Sequence, residues 1–356
     1  MVSIHVWTLA LSSAACSLIG APHAAAAPTA ARAQTAIGEP LLPDPLEMKR
    51  VEAAVDKALL YLASHQDPDG SWPSGIGKNN GINAISLLAF LGRGHVPGRG
   101  PFKHTVDRAV DFIVATQDPQ TGLFKSPDPT HGPMYEHALA TLAIIEAYGF
   151  MPSSVMRRRA QSAVDLIIKA QSPNGGWRYQ PVPGDHDLSV TVMQVVALRA
   201  AMNARLDVPD QKTKLAVAYV RSCAVKDGGF AYQPGQDPKL PLSAAGVLCL
   251  QLLGEFDDPA VEKGLTYLHN AAYDKNMEHF FYMNYYAMQA AFQAGGDHWA
   301  RWHPKVRKFL LENQNEDGSW PGYKAEKFNG PARCYSTGFS AICLEVYMHF
   351  LPVYQR

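Results

Sequence analysis

Apolar residues recur at helical spacing along most of the chain. Val51, Val55, Leu59 and Leu62 stand three or four positions apart, which predicts an amphipathic helix with one buried stripe. The next apolar segment, 81–92, is apolar nearly all round, which predicts a helix that is covered on both sides. The same order, an amphipathic segment and then a more apolar one, repeats toward the end of the chain.

This alternation predicts two concentric rings of helices, with the inner ring buried between the outer ring and the centre. The segment with Val51 and Leu62 is the first predicted outer helix, and the other five cover 104–116, 155–170, 211–223, 259–270 and 304–313. Segment 81–92 is the first predicted inner helix, and the other five cover 135–148, 188–204, 242–253, 280–294 and 335–349. No run shows the period of two that a half-buried β-strand requires, so the predicted fold class is all-α.

A short polar block follows most of the predicted outer helices. Its full copies begin with Gln, contain Gly and end on an aromatic residue; they are 66–72, 117–124, 171–177 and 314–320, with a shortened copy at 227–230. The aromatic ends Trp72, Phe124, Trp177, Phe230 and Trp320 are separated by 52, 53, 53 and 90 positions. The last gap fits two shorter units with a worn copy near 269–274, so the pattern predicts six helix-pair repeats.

Each block has residue types suited to a chain reversal. A Pro at the second turn position and a Gly at the fourth favour a type I turn, which ends the preceding helix. The Gln amide can bond the free backbone groups of a helix end, and the aromatic side chain can pack against a neighbouring repeat.

These blocks resemble the QW repeats of squalene and terpenoid cyclases and the related repeats of protein prenyltransferase β subunits, over about residues 47–350. The resemblance implies an α6/α6 toroid, six helix hairpins in two concentric rings, in which the blocks are structural. Segments 285–290, 295–299 and 335–352 also resemble exported, single-toroid bacterial proteins of the planctomycete type.

The first 33 residues have the character of a signal peptide with an Ala-rich processing region. Residues 6–19 are apolar and uncharged but too short to span a bilayer, and Ala-x-Ala patterns precede cleavage after Ala26 or Ala33. Residues 34–46 read as a linker, and 47–356 as one toroid domain. We therefore expect an exported protein, periplasmic or secreted; lipid anchoring through Cys16 is the less favoured alternative.

The charge balance narrows the choice of partners. The chain has 32 basic and 32 acidic side chains, which gives no electrostatic case for nucleic acid or an anionic membrane. Charged residues are 18% of the chain, below the usual share of about 25%, which agrees with helices that mostly face other helices. We expect no cofactor and no membrane span, and a small molecule or glycan as the ligand of a central cavity.

The cyclase resemblance also locates the position of an acid motif. Squalene–hopene-type cyclases protonate an alkene with the middle Asp of Asp-x-Asp-Asp-Thr before an inner helix, in a cavity between two toroids. Asp187 and Thr191 match that motif, but Ser189 occupies the proton-donor position and Val190 the next Asp. Because a serine hydroxyl is far too weak an acid to protonate an alkene, that cyclisation is not expected.

The zinc site of protein prenyltransferases is not matched either. Those enzymes hold zinc with an Asp-x-Cys near the fifth inner helix and a His before the sixth. Here the fifth region begins with Glu278 and His279 and lacks the Cys, while the sixth begins at Cys334 and lacks the His. We expect no metal; a different zinc set of His279, Cys334 and Glu278 is the alternative.

Polar groups cluster where the inner helices are predicted to begin. If those helices run parallel, their entrances share one mouth, where carboxylates beside histidines could do acid–base work. The predicted catalytic residues are Asp185, His186, Asp187, Glu136 and His137. For Asp187, capping of the helix that starts at 188 is the competing interpretation.

The predicted ligand-binding residues share the mouth or the adjoining cavity wall: Tyr135, Asn83, Tyr282, Tyr285, Tyr286, Arg333 and Tyr335. Rings in such a wall could stabilise carbocations through their quadrupoles, or could simply fill the space between helices.

Three classes of function are compatible with this pattern. The first is a terpenoid-cyclase-like or prenyltransferase-like protein that binds or transforms a hydrophobic ligand, such as an isoprenoid, in a central cavity. The second is a polysaccharide lyase or hydrolase, since α/α toroids also act on carbohydrates, and the third is a non-catalytic binding or scaffold module. A deep apolar cavity favours the first class, and a shallow polar groove favours the other two.

Overall fold

The computed structural model describes residues 44–128, 132–277, 279–323, 328–330, 332–348, 351 and 353. All of them belong to one compact unit, Ile37–Arg356. The predicted targeting region, 1–33, and residues 34–43 of the predicted linker lie outside the described residues.

Twelve α-helices account for most of the described chain. The outer helices are α1 (Pro45–Ser64), α3 (Lys103–Ala115), α5 (Ser154–Ala170), α7 (Asp210–Ser222), α9 (Pro259–Asn270) and α11 (Gly296–Glu312). The inner helices are α2 (Asn80–Gly92), α4 (Met134–Phe150), α6 (Leu188–Asn203), α8 (Leu240–Leu252), α10 (Phe280–Ala294) and α12 (Cys334–Glu345), the last followed by a 3₁₀ turn, Val346–Met348. Extended pairing within this part of the chain is limited to isolated bridges.

The helices close into two rings. Each inner helix contacts the next inner helix in chain order, and α12 returns to contact α2. In the outer ring α11 contacts α1, so the first and last repeats meet. The predicted α6/α6 toroid is confirmed.

The difference between the rings follows from the apolar pattern. Every residue of α2 is buried, as the nearly continuous apolar segment predicted. The outer helix α5 buries only one stripe, which includes Ala160, Ala163, Val164 and Ile167 at helical spacing. Polar residues on the inner helices are therefore buried as well, and each must find a partner inside the barrel.

In four of the blocks a glutamine fastens one outer helix to the next. The Gln66 side-chain amide donates to a carbonyl of its own block and to the carbonyl of Thr105 on α3, at 3.1 and 2.9 Å. The Gln314 amide donates in the same way to the carbonyl of Ala54 on α1, at 2.8 Å, so this contact also joins the last repeat to the first. Equivalent contacts are made by Gln117 and Gln171.

The tryptophans that end three blocks are fully buried. Each indole N–H donates to a carbonyl near the end of the preceding outer helix, at 2.7 to 2.8 Å. The residues are Trp72, Trp177 and Trp320, with acceptors on Leu62, Ile167 and Leu310. These contacts tie each block to the buried end of the preceding outer helix, which gives the blocks the structural role implied by the resemblance.

Two helix boundaries differ from those predicted. Helix α1 begins at Pro45, inside the predicted linker, because the Asp44 carboxylate accepts from two backbone N–H groups of its first turn. Helix α11 begins at Gly296, eight residues before the predicted start at Pro304, which lies inside the helix. Gly295, at φ 70°, ends α10 and lets the chain reverse at once, so no loop separates the two helices.

The block glycines allow the close approach of backbone to backbone. Gly318 has φ +91°, and a Cβ placed on it would overlap the carbonyl oxygen of Lys57 on α1. Gly235 has a similar φ of +84° but has no atom within 4 Å of such a Cβ. Both positions require glycine for its positive φ, but only Gly318 also requires it because there is no space for a Cβ.

We expect Gly318→Ala to lower the free energy of unfolding by about 3 kcal/mol, because it adds a backbone clash at the ring closure to the strain of a positive φ. Gly235→Ala should lower it by only about 1 kcal/mol, since it adds the strain alone. Urea unfolding followed by circular dichroism measures both. Equal losses in the two variants would contradict the importance of this contact.

Candidate functional site

The inner helices begin at the same end of the inner ring, which we call the mouth. A cavity of about 610 Å³ opens there, and the inner-helix residues that line it come from the N-terminal halves of all six inner helices. The blocks set this arrangement, because each one reverses the chain at the end of an outer helix and delivers it to the start of the next inner helix.

The walls of the cavity are mainly apolar and aromatic. Aliphatic side chains come from Ile82, Ile85, Leu139, Met193 and Leu242. Six tyrosines also line it: Tyr135, Tyr179, Tyr232, Tyr267, Tyr282 and Tyr335. An apolar cavity with a few oriented hydroxyl groups is typical of a small-molecule site, and the volume falls within the usual range of about 300–1,000 Å³.

A chain of hydrogen bonds leads from a buried carboxyl group to this cavity. Asp187 caps α6 and accepts from the backbone N–H of Val190 at 3.0 Å. The Ser189 hydroxyl donates to the same oxygen of Asp187 at 2.6 Å. The Tyr135 hydroxyl lies 2.6 Å from the Ser189 Oγ, so the three groups form one continuous chain. Capping of α6 by Asp187 is thus confirmed, and the same carboxyl group also serves the cavity.

A second set of polar groups reaches Asp187 from the next repeat boundary. The Arg178 Nε lies 3.8 Å from the Asp187 Oδ2, and its guanidinium lies over the rings of Tyr179 and Tyr232 at 5.0 and 6.0 Å. The hydroxyl groups of those two tyrosines are 2.5 Å apart. Since both tyrosines line the cavity, this carboxyl group is linked to hydroxyls on two sides of the mouth.

Burial raises the pKa of Asp187 above its ordinary value. Hydrogen bonds from Ser189 and Val190, the nearby Tyr232 hydroxyl and the charge of Arg178 act in the opposite direction. Burial and the nearby Asp187 also raise the pKa of Tyr135, which keeps that hydroxyl protonated at neutral pH.

Asp185 and His186 do not line the cavity, although they were expected at its rim, and their catalytic role stays a prediction. Asp185 is exposed and pairs with Arg178, while the His186 ring packs 4.7 Å from that of Tyr219 on α7. The backbone at Asp187 is extended, so successive side chains point to opposite sides. Asp187 therefore faces inward and His186 faces the outer ring.

Glu136 lines the cavity as predicted and is buried. Its carboxylate accepts from the Asn79 side-chain amide at 2.8 Å. The Asn79 side-chain oxygen also caps α2 by accepting from the N–H of Gly81 at 2.9 Å. Glu136 is therefore held by the neighbouring inner helix, on the side of the mouth that is formed by α2 and α4.

His137 and Asn83 do not line the cavity, and their side chains bond buried backbone groups; their assignment to the site stays a prediction. The Nδ1 of His137 accepts from the backbone N–H of Phe124, and its Nε2 lies 3.1 Å from the carbonyl of Ala163. Burial lowers the pKa of His137 to about 4, so the ring is neutral and its Nε2 donates to that carbonyl. Asn83 accepts from the backbone N–H of Trp72 at 2.8 Å.

The same contact recurs in other repeats, where the acceptor is a Thr or Ser hydroxyl. Thr191, Ser243 and Thr337 each accept from the backbone N–H of the aromatic residue that ends their block. One polar side chain on the first turn of an inner helix thus satisfies a buried donor in every such repeat. Each of these residues is the fourth of its inner helix, while its distance from the block aromatic varies from 11 to 17 positions. Aligning the starts of the inner helices, rather than the blocks, therefore exposes the pattern.

The other predicted ligand-binding residues divide into two groups. Tyr282 and Tyr335 line the cavity, and the Tyr282 hydroxyl donates to the Ser189 carbonyl at 3.4 Å. Tyr285 and Tyr286 are buried beside the cavity without lining it, and their rings pack against Phe339 and Tyr282. The rings of Tyr285 and Tyr286 fill the space between helices, which was the alternative to a ligand-binding role.

Arg333 does not reach the cavity lining. It donates to Asp317 in the last block at 2.7 Å, and its guanidinium lies 5.9 Å from the Tyr61 ring. Its positive φ of 45° places it at the turn before α12, with the side chain directed back toward the outer ring.

The alternative zinc set gains no support from the geometry. Glu278 lies outside the described residues. His279 lines the cavity, but the Cys334 thiol donates to the carbonyl of Ala332 at 3.3 Å. Among the residues described, no group of three His, Cys, Asp or Glu side chains is placed to hold a metal ion. That the protein lacks zinc remains a prediction.

Arg178, Tyr179 and Tyr232 were not singled out from the sequence. Tyr179 and Tyr232 each stand two positions after the aromatic end of a block, at Trp177 and Phe230. The equivalent positions of the other blocks, Ser74, Ser126 and Gly322, do not line the cavity, so the repeat pattern alone does not identify the two tyrosines.

The chain belongs to the prenyltransferase alpha-alpha toroid domain family, whose sequence model matches residues 81–281. A drimenyl diphosphate synthase of Streptomyces showdoensis is 28% identical over 193 residues, which cover 54% of this chain and 35% of that protein. The chain thus spans about a third of the length of that relative.

Solved structures share the fold at lower identity. A type II terpene cyclase from Scytonema in complex with geranylgeranyl dihydroxybenzoate has a TM-score of 0.60 at 14% identity, over 84% of this chain and 98% of that one. An α-1,6-mannanase of Salegentibacter has a TM-score of 0.63 at 10% identity, over 87% of this chain and 100% of that one. Toroids that act on terpenoids and on glycans are therefore both similar to this fold.

Among the described residues, no helix combines the length and the apolar character that a bilayer crossing requires.

We expect Asp187→Ala to lower the free energy of unfolding by about 2 kcal/mol or more, because it removes a helix cap and the acceptor of the buried Ser189 hydroxyl. Ser153→Ala, which removes only the exposed cap of α5, should cost about 1 kcal/mol. Asp187→Asn should stay closer to the wild type, since Asn also caps helices. Chemical unfolding of the three variants tests this ranking. An Asp187→Ala variant with the same free energy of unfolding as the wild type would contradict it.

Proposed function

We propose that the central cavity binds an elongated apolar ligand of the isoprenoid class. The observation that carries this proposal is the cavity itself, about 610 Å³ of space walled by aliphatic and tyrosine side chains inside a closed ring of helices. Burying an apolar chain there gains about 25 cal/mol for each Å² removed from water. The tyrosine hydroxyls then provide orientation rather than most of the affinity.

Two comparisons support this choice of ligand class. The relative from Streptomyces is a drimenyl diphosphate synthase, and the Scytonema neighbour binds geranylgeranyl dihydroxybenzoate. In this chain Ser189 lines the cavity at the position where the cyclase resemblance places the proton donor. The same position of the toroid therefore faces the ligand, with a hydroxyl group in place of a carboxylic acid.

Action on a polysaccharide fits these residues less well. Glycoside hydrolysis requires two carboxyl groups on either side of the scissile bond. Of the carboxyl groups in the described chain, Glu136 lines the cavity, while Asp187 reaches it through Ser189. A scaffold role does not require the hydrogen-bonded hydroxyls of Ser189 and Tyr135 at the cavity wall.

We expect farnesol, a linear isoprenoid alcohol, to bind with a dissociation constant on the order of micromolar. Leu139→Trp, which fills the cavity from α4, should weaken binding at least about tenfold, because the ligand and the indole compete for the same volume. Leu60→Trp is the matched control, since Leu60 is 62% exposed on the outer helix α1. Isothermal titration calorimetry measures the affinities. Binding of mannotriose in the absence of farnesol binding would favour the carbohydrate alternative.

We also propose that the protein is exported by a cleaved signal peptide. The support is the apolar, uncharged segment 6–19 followed by Ala-x-Ala sites. Mass spectrometry of the protein from its native host should find the mature N-terminus near residue 27 or 34. An intact N-terminus that includes residues 1–32 would refute the proposal.

A further inference from the structure

The direction of the hydrogen bonds between Asp187 and the cavity depends on one proton. Ser189 and Tyr135 each have a single hydroxyl hydrogen. When Asp187 is ionised, Ser189 donates to it, so Tyr135 must donate to Ser189. The Tyr135 oxygen can then only accept a hydrogen bond from a ligand.

A proton on Asp187 reverses this chain. The carboxyl O–H donates to the Ser189 oxygen, Ser189 donates to the Tyr135 oxygen, and the Tyr135 hydrogen turns toward the cavity. The Arg178 cation lies beside the Oδ2 of Asp187, which favours the proton on the other oxygen, Oδ1, where Ser189 is bound. The 2.6 Å separations allow this reversal without movement of heavy atoms.

We propose that the Asp187–Ser189–Tyr135 chain is a hydrogen-bond donor to an oxygen atom that only accepts, such as the carbonyl of an isoprenoid ketone, and that it donates when Asp187 is protonated. The inference rests on the proposed function, because it names the polar group of the apolar ligand in the same cavity. It differs from alkene protonation, since Ser189 serves only to pass on the direction of the hydrogen bonds.

The surroundings of Asp187 suit a group that changes its protonation state. The cation beside it is Arg178, whose Nε lies 3.8 Å from the Asp187 Oδ2 and which is shared with the exposed Asp185. The side chain of His186, the residue before Asp187, is directed toward α7. The other titratable groups that face Asp187 are neutral hydroxyls or thiols from α4, α7, α10 and the segment before α8: Tyr135, Tyr219, Cys223, Tyr282 and Tyr232. Burial among these uncharged groups favours the neutral carboxyl, and the shared Arg178 acts in the opposite direction.

The test uses two probes of equal shape: farnesylacetone, a linear isoprenoid ketone, and the hydrocarbon in which a methylene group replaces the carbonyl oxygen. Calorimetry on the whole protein at pH 5 and pH 8 gives their dissociation constants. We expect the ketone to bind about tenfold more tightly at pH 5 than at pH 8, because protonated Asp187 lets Tyr135 donate. The hydrocarbon should bind equally at both values.

Three variants assign the effect. Tyr135→Phe should bring the affinity for the ketone to that for the hydrocarbon, and Asp187→Asn, which keeps the helix cap, should abolish the pH dependence. Tyr267→Phe is the control, because Tyr267 lines the cavity but bonds the Pro238 carbonyl outside the chain; it should retain the difference between ketone and hydrocarbon.

The outcomes separate this inference from the proposed function. If neither probe binds, the isoprenoid ligand itself is wrong. If both probes bind with equal affinity at both pH values, or if the pH dependence survives in Asp187→Asn, the cavity keeps its apolar ligand but the donor chain is overturned.

Discussion

The structure depends on the need to satisfy buried backbone groups where each outer helix ends. The last carbonyls of a helix have no partner within it, and here they are enclosed between repeats, away from water. The indole of Trp72 and its counterparts bond those carbonyls, while the amide of Gln66 and its counterparts bonds the next outer helix. Because the contact between Gln314 and α1 is of the same kind, a local solution used at three other repeat boundaries also closes the ring.

The mouth is a consequence of this repetition. Each block stops an outer helix and starts an inner one in the same direction, so the first turns of the inner helices meet at one end. A polar side chain on that turn must satisfy the backbone N–H of the block aromatic, as His137 and Asn83 do. Positions beside it, such as Glu136 and Ser189, are left to face the cavity.

One buried carboxyl group connects these structural requirements with the cavity. Asp187 caps α6, and in the same place it orders the hydroxyls of Ser189 and, through it, Tyr135. A group with both duties cannot be replaced by an apolar residue without leaving buried donors unsatisfied. The helix cap thereby supplies the cavity with an oriented polar group in an otherwise apolar wall.

The sequence by itself determined the all-α class, the alternation of the two rings and the toroid. The helical spacing of apolar residues and the polar blocks are local features that recur along the chain, so they can be recognised without the tertiary structure. The sequence also placed Tyr135, Glu136, Tyr282 and Tyr335 at the cavity, since these follow from where inner helices begin. It could not separate His137 from Glu136, or Asp187 from His186. Neighbouring residues point in different directions, and only the packing of adjacent repeats decides which side chain meets a buried backbone group and which meets the cavity. The tertiary structure also brought Tyr179 and Tyr232 to the same carboxyl group, across a separation in sequence that no local pattern spans.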